Sequence, residues 1–235
     1  MAHDFAGIGG WEIRARYAIR IFLRWLGKVT IREREFVNQC ILLIKKENNF
    51  RPLRIMDVGS SSSYVPLELA KQGNEIVAVD IRPYPLRHRS LTFVHGDITE
   101  ADFGRGMPPF DVITCISTLE HIGIGHYGDQ LLGQGDRLAV ATMHRLLKAE
   151  GSLLLTVPFG GEFSQDDFQR VYDFPHIQGL FAQGWRLREE RFHIPQGKRN
   201  WVIATREQVG RRYPMYPESN HACFWWVKEE IPPAK

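Results

Sequence analysis

Cysteine is scarce in this chain. Cys40, Cys115 and Cys223 are the only three in 235 residues, and none forms a Cys-x-x-Cys pair. That argues against a disulfide framework or a cysteine-rich zinc site and points to reduced thiols in a cytoplasmic protein. No uninterrupted apolar run approaches the ~18 residues that a membrane span needs. The opening residues, Met-Ala-His-Asp-Phe-Ala-Gly, lack the basic and apolar regions of a secretory signal. A large excess of one charge sign is also lacking, with 30 Lys and Arg against 27 Asp and Glu. A net charge of +3 permits an anionic partner but does not demand nucleic acid. Internal repeats are absent, as are low-complexity tracts beyond the serine run at 60–63. What is there is ordinary globular material, 43% hydrophobic and 24% charged, long enough for one domain with a full core.

The most informative stretch runs from Arg54 to Ala70. Leu53 to Val58 is a short apolar run with one carboxylate, Asp57, near its end, as a buried strand of a parallel sheet would have. Gly59, Ser60, Ser61, Ser62 and Ser63 follow without bulk, and the pattern then turns helical through Val65, Leu67, Leu69 and Ala70, with Gly73 at the C-cap. Strand, small-residue turn and helix open a nucleotide-binding α/β unit, because small residues let the backbone approach a ligand and the helix start offers N–H groups. The dinucleotide fingerprint Gly-x-Gly-x-x-Gly is missing, and a carboxylate just before the turn would repel a pyrophosphate. It suits a cationic group or a hydroxyl instead.

Three more strands carry acids or small polar residues to the same edge. Glu75 to Asp80 is the second, with Asp80 standing 23 positions after Asp57, a spacing that suits acceptance of both hydroxyls of a ribose. Leu91 to His95 is the third, followed by Gly96, Asp97 and Ile98; Asp97 suits an exocyclic amine, and Ile81 and Ile98 suit the faces of an aromatic base. Phe110 to Ser117 is the fourth. Taken singly, each acid also reads as a helix cap or turn residue. The fourth strand runs into Thr118-Leu-Glu-His-Ile-Gly-Ile-Gly-His-Tyr-Gly-Asp129, where Glu120, His121, His126, Tyr127 and Asp129 crowd within ten positions among glycines. His121 and His126 are candidate general bases, since an unperturbed imidazole titrates near 6.5. Glu120, His121 and Asp129 are alternatively candidate ligands of a divalent cation. The bland alternative is a structural loop in which the histidines fill hydrogen bonds.

The remaining pattern predicts helices over 11–28, 32–46, 136–148 and 172–182, and strands over 152–157, 185–194 and 222–228. The stretch 195–221 reads as irregular. In the first helix Arg16, Arg20, Arg24 and Lys28 form a basic stripe, which is either a solvated face or a peripheral contact with an anionic membrane or acidic substrate. Arg170, Tyr172 and Asp173 read as a helix-start capping cluster or a substrate contact. Residues 1–50 are expected to form a helical cap, 51–160 a cofactor-binding half and 161–235 an acceptor-shaping half of one domain.

The order of these motifs resembles the class I S-adenosylmethionine-dependent methyltransferases over about residues 53–160. Asp57 and Gly59 match an acidic-x-Gly-x-Gly-x-Gly motif, with Ser61 and Ser63 in place of its later glycines. Gly96-Asp97, Leu119-Glu120-His121 and the run Arg145-Leu-Leu-Lys-Ala-Glu-Gly, followed by a strand and Pro158, are similar to further motifs of that family. The resemblance implies a Rossmann-like, seven-stranded, mostly parallel sheet with an antiparallel last strand, helices on both faces and an N-terminal helical extension. It implies S-adenosylmethionine as cofactor, with Asp57, Gly59, Ser60, Ser61, Asp80, Ile81, Asp97, Ile98 and Ser117 lining its pocket and Asp57 facing the methionine ammonium, directly or through water. Proteins with a Leu-Glu-His-Ile-Gly run followed by Tyr-Gly-Asp also suggest a small-molecule or saccharide hydroxyl as acceptor. Three other readings stand beside this one. A nicotinamide dehydrogenase would use Asp80 similarly but lacks its glycines here. A non-catalytic binding module of the same fold would tolerate the serines. Nucleic-acid methylation has little behind it, with no Asp/Asn-Pro-Pro-Tyr after the fourth strand.

Overall fold

The computed structural model describes residues 32–61, 63–196, 200–210 and 220–229. The helix expected over 11–28, with its arginine stripe, lies outside the described residues.

Helix α1, Arg32–Glu47, places Phe36, Val37, Cys40, Ile41 and Ile44 on one buried stripe. Glu33 and Glu35 in its first turn and Lys45 and Lys46 in its last complement the helix dipole. The strands and helices then follow as β1 (Arg54–Val58), α2 (Val65–Lys71), β2 (Glu75–Asp80), β3 (Leu91–His95), β4 (Phe110–Ile116), α3 (Gly135–Leu146) and β5 (Leu147–Phe159). The second half holds β6 (Ser164–Gln165), β7 (Arg170–Val171), α4 (Phe174–Leu180), β8 (Trp185–Gln196), β9 (Asn200–Ala204), α5 (Arg206–Gly210) and β10 (Asn220–Lys228).

The main sheet has eight strands in the order β3-β2-β1-β4-β5-β10-β8-β9. The first five run parallel, and β10 inserts antiparallel between β5 and β8. Seven strands were expected. The eighth, β9, pairs antiparallel with β8 and forms the edge. The stretch expected to be irregular, 195–221, therefore contains β9 and α5. Its sequence gave little warning, because an edge strand buries little of one face: Ile203 is 73% exposed. A separate two-stranded hairpin, β6–β7, was also not foreseen.

Each face of the sheet is covered. Beneath α1 and α2 lies a cluster that includes Ile55, Val112, Leu154 and Trp225. The opposite cluster, under α3, α4 and α5, includes Met56, Ile113, Leu155, Phe224 and Trp226. Alternate residues of β10 supply the two layers, Cys223, Trp225 and Val227 to one and Ala222, Phe224 and Trp226 to the other. α1 runs antiparallel to β1. Its first turn reaches the strand C-termini, where Glu33 Oε1 lies 3.4 Å from His221 Nδ1, and its last turn reaches the other edge, where Glu47 pairs with Arg188.

Candidate functional site

The C-termini of β1, β2 and β4 meet along one edge. At the end of β1, Gly59 has φ +82, and a Cβ built there would lie 2.1 Å from Thr118 Oγ1. Only glycine fits both the backbone conformation and the approach of the segment after β4. Ser60 is fully buried and ties the two strand ends together. Its Oγ lies 2.8 Å from the Asp57 carbonyl and 2.9 Å from Asp57 Oδ2, and it accepts from the Val79 N–H at 3.1 Å. Asp57 also accepts from Thr114 Oγ1 at 2.6 Å, so both its oxygens are engaged inside the turn. Burial pushes this carboxyl up to about 7 against the pull of the Thr114 and Ser60 hydrogen bonds.

Asp80 is buried at the tip of β2. Ser61 donates its backbone N–H to Oδ2 at 2.8 Å, and Arg82 donates its own N–H and its Nε to Oδ1 at 2.8 and 3.2 Å. The Arg82 guanidinium also lies over the ring of Tyr127, 4.4 Å from its centroid. Arg82, which was not singled out from the sequence, links the β2 tip to the segment after β4. Ile81 donates nothing through its side chain, but its carbonyl is held 2.7 Å from His95 Nε2. Asp97 Oδ1 accepts from the N–H and hydroxyl of Thr99 at 2.8 and 2.7 Å, and Ile98 beside it is buried. Ser117 follows β4 with φ +45, uncommon for a residue other than glycine, and its N–H bonds the carbonyl and hydroxyl of Thr156 on β5.

The reacting candidates stand just beyond, on a 3₁₀ turn over Leu119–His121. Glu120 is 1% exposed, and its Oε2 has no hydrogen-bond partner. Burial pushes its carboxyl up to about 8, and repulsion from Glu33 acts in the same direction, so it is mostly protonated at neutral pH. His121 Nδ1 lies 2.7 Å from the Phe168 carbonyl. A carbonyl only accepts, so Nδ1 carries the hydrogen and Nε2 keeps a lone pair. Nε2 is 3.8 Å from Glu120 Oε1. Burial holds the His121 pKa below its usual value, which keeps the ring neutral. His126 is exposed and packs edge-on against Tyr127 and Phe168, with ring centroids 4.8 Å apart in each case.

Asp129 has a different task from the one expected of a metal ligand. Its Oδ2 accepts from the N–H groups of Gly123 and Gly125 at 2.7 and 3.2 Å, and its Oδ1 from that of Tyr127 at 3.3 Å. With both oxygens folded into the loop, Asp129 does not join Glu120 and His121 as a ligand set. Among the described residues no group of three His, Cys, Asp or Glu side chains is placed to share a metal ion. Arg170, Tyr172 and Asp173 divide their work. Asp173 caps α4, with its Oδ1 accepting from the His176 N–H at 2.9 Å. Arg170 Nη1 reaches the Ile122 carbonyl at 2.7 Å, and the Tyr172 hydroxyl reaches Asp136 Oδ2 at 3.2 Å.

This sheet order, with an antiparallel strand inserted beside β5, is that of the class I S-adenosylmethionine-dependent methyltransferase fold. The family described as "Caenorhabditis protein of unknown function, DUF268" matches residues 58–186, more than half of the chain. The chain belongs to this family. It is also 29% identical over 119 residues to a ubiquinone biosynthesis O-methyltransferase of Xylella fastidiosa, a match covering 45% of this chain and 48% of that protein. The chain thus spans about half the length of that relative. Among solved structures, a 1,6-didemethyltoxoflavin-N1-methyltransferase of Burkholderia thailandensis, with bound 1,6-didemethyltoxoflavin and S-adenosylhomocysteine, superposes with a TM-score of 0.58 at 16% identity, covering 98% of this chain and 91% of that one. The N-methyltransferase NodS of Bradyrhizobium japonicum, with S-adenosylhomocysteine, does so with a TM-score of 0.53 at 13% identity, covering 84% and 87%. These structural likenesses establish the fold. No helix among the described residues is long and apolar enough to cross a membrane.

Proposed function

We propose that this chain transfers a methyl group from S-adenosylmethionine to a hydroxyl of a small-molecule or saccharide acceptor, acting in the cytoplasm. The observation that carries the reading is the Gly59 turn, with its positive φ, its packing on Thr118 and Asp80 at the adjoining strand tip. The residues present fit the cofactor's chemistry. Asp80 at the tip of β2 and Asp97 just after β3 stand at this edge, which suits a ligand with free ribose hydroxyls and an exocyclic amine. The bare α-carbon of Gly59 and the small serines leave the backbone open to it.

In this reading Asp80 exchanges Arg82 for the ribose hydroxyls, Asp97 takes the adenine amine, and Ile81 and Ile98 flank the base. Asp57 was expected to face the methionine ammonium; with both its oxygens bonded to Ser60 and Thr114, it acts instead through the turn, by fixing Ser60. When bound, S-adenosylmethionine supplies a methyl already activated on a sulfonium. The protein is left with alignment and removal of one proton. His121 Nε2, neutral and carrying a lone pair, takes the acceptor's hydroxyl proton. His126 is the second candidate, from a more exposed position. The geometry of Asp129 favours this base over a divalent cation held by Glu120, His121 and Asp129.

Calorimetric titration with S-adenosylhomocysteine and with NAD tests the cofactor. S-adenosylhomocysteine should bind and NAD should not. Asp80→Ala removes charge-assisted hydrogen bonds worth about 1.5–3 kcal/mol, so affinity should fall by about tenfold or more. Unchanged affinity in that variant, or a preference for NAD, would defeat the reading.

A further inference from the structure

His121 does not hold its orientation alone. The β6–β7 hairpin, 43 to 52 positions downstream by number, brackets the turn that carries it. Three polar contacts link the hairpin and the residue after it to successive parts of that turn. The Tyr172 hydroxyl, whose one hydrogen goes to Asp136, lies 3.4 Å from the Leu119 carbonyl; His121 Nδ1 donates to the Phe168 carbonyl at 2.7 Å, and Arg170 Nη1 donates to the Ile122 carbonyl at 2.7 Å. Tyr172 and Arg170 are anchored in turn by Asp136 at the start of α3, at 3.2 and 3.8 Å.

The middle bond decides which nitrogen of His121 carries the hydrogen, and it depends on where the hairpin tip places one carbonyl. Asp166 shapes that tip. Its backbone N–H donates to the Gln169 carbonyl at 3.1 Å, and its Oδ1 accepts from the N–H groups of Phe168 and Gln169 at 2.9 and 2.7 Å. The carboxylate thereby fixes the peptide units on both sides of Phe168. The Phe168 ring adds contact, with its centroid 4.9 Å from that of His121. Asp166 itself is exposed and touches none of the reacting candidates.

We infer that Asp166 is a positioning residue: by fixing the hairpin tip it aims the Phe168 carbonyl at His121 Nδ1 and so leaves Nε2 as the lone-pair nitrogen toward the acceptor side. The chemical consequence rests on the reading of His121 as the base. The positioning does not, because the tautomer is measurable without methyl transfer. With the hairpin tip loose, Nδ1 loses its fixed acceptor, the two neutral tautomers become comparable, and part of the population presents an N–H where a base needs a lone pair.

The test is imidazole nitrogen NMR on the full chain labelled with ¹⁵N-histidine, with His121 assigned by difference against His121→Gln. Wild type should show one tautomer, with a pyrrole-like Nδ1 and a pyridine-like Nε2. In Asp166→Ala the two signals should move toward each other as the tautomers mix, while Asp166→Asn, which retains an accepting Oδ1, should restore the wild-type pattern. Thermal melting and S-adenosylhomocysteine titration of the same samples should change little, since Asp166 is exposed and away from the cofactor turn. Phe168→Ala keeps the carbonyl and removes the ring, and should keep the single tautomer. A wild-type pattern in Asp166→Ala overturns the inference, as does a mixed pattern that Asp166→Asn fails to restore. A failure of the methyltransferase reading looks different: S-adenosylhomocysteine does not bind the wild-type chain, whatever the His121 signals do.

Discussion

Asp111, at the start of β4, and Glu120, on the turn beyond its end, lie nine positions apart, and the fold treats them in opposite ways. Asp111, 8% exposed at the N-terminal edge of the sheet, accepts from Arg51 at 2.7 and 3.3 Å, from the Arg54 N–H at 2.8 Å and from Lys148 at 2.8 Å. Against the upward pull of burial, those partners hold its pKa down at about 2. Glu120, 1% exposed at the C-terminal edge, has one oxygen without a partner, and burial pushes it up to about 8. Full pairing marks a group that holds elements together. A buried polar atom left unpaired costs stability and is tolerated where a site needs it. The contrast predicts that changes at the Glu120 edge cost function more than stability, and that changes at the Asp111 edge do the reverse.

The largest expected effect is on turnover. Loss of a general base typically costs ~10²–10⁴-fold, so His121→Gln should lose activity on that scale while its melting temperature and S-adenosylhomocysteine affinity stay close to wild type. A large fall in melting temperature instead would place His121 among the structural groups. Gly59→Ala comes next. Its φ of +82 and the 2.1 Å approach to Thr118 Oγ1 add steric overlap to a backbone cost of order 1–3 kcal/mol. Titration should show S-adenosylhomocysteine binding abolished or cut severely, more than denaturant unfolding shows stability reduced.

Asp111→Asn belongs to the other edge, and its effect should appear in unfolding with no change in cofactor affinity. A depressed folded pKa gives stability that is complete above the unfolded value near 4 and is lost as pH falls toward about 2. Unfolding midpoints measured between pH 5 and pH 2 should therefore fall less steeply in Asp111→Asn than in wild type. Parallel curves would mean that the Arg51 and Lys148 bonds stabilise nothing. Glu120→Gln should give the smallest effect, with the opposite sign. A raised folded pKa favours the protein at pH 4, and that advantage is lost as pH rises toward about 8. The amide should thus raise the melting temperature at pH 8 relative to wild type and change it less at pH 4. An equal shift at both pH values would show that the carboxyl's ionisation is not what separates the two edges.

Legibility from sequence followed the same geography. Four of the parallel strands, β1, β2, β4 and β5, were readable because strands covered on both faces are near-continuous apolar runs. β3, at one edge of the sheet, was still read from its apolar residues, whereas β9 at the other edge and the small hairpin were not. β9 exposes Ile203, and the two-residue strands of the β6–β7 hairpin are too short for any period to show. The candidate base was legible as a type and a place, since histidines cluster after β4. Its tautomer was not, because the carbonyl that sets it belongs to Phe168, 47 positions away.

By itself, the sequence determined the periodic, short-range part of this protein: the strand runs, the glycine that the Asp57–Ser63 turn requires, and the acids at three strand ends. Hydrophobic alternation and backbone sterics are local, so adjacent residues suffice to state them. Only the tertiary structure decided which acids are paired and which are left alone, that Asp129 folds its own loop instead of facing an ion, that Arg82 bridges Asp80 and Tyr127, and which nitrogen of His121 is bare. Apart from Asp129, whose partners lie two to six positions away, those outcomes depend on desolvation and on partners tens of residues distant, and both come into existence when the sheet closes and its helices cover it.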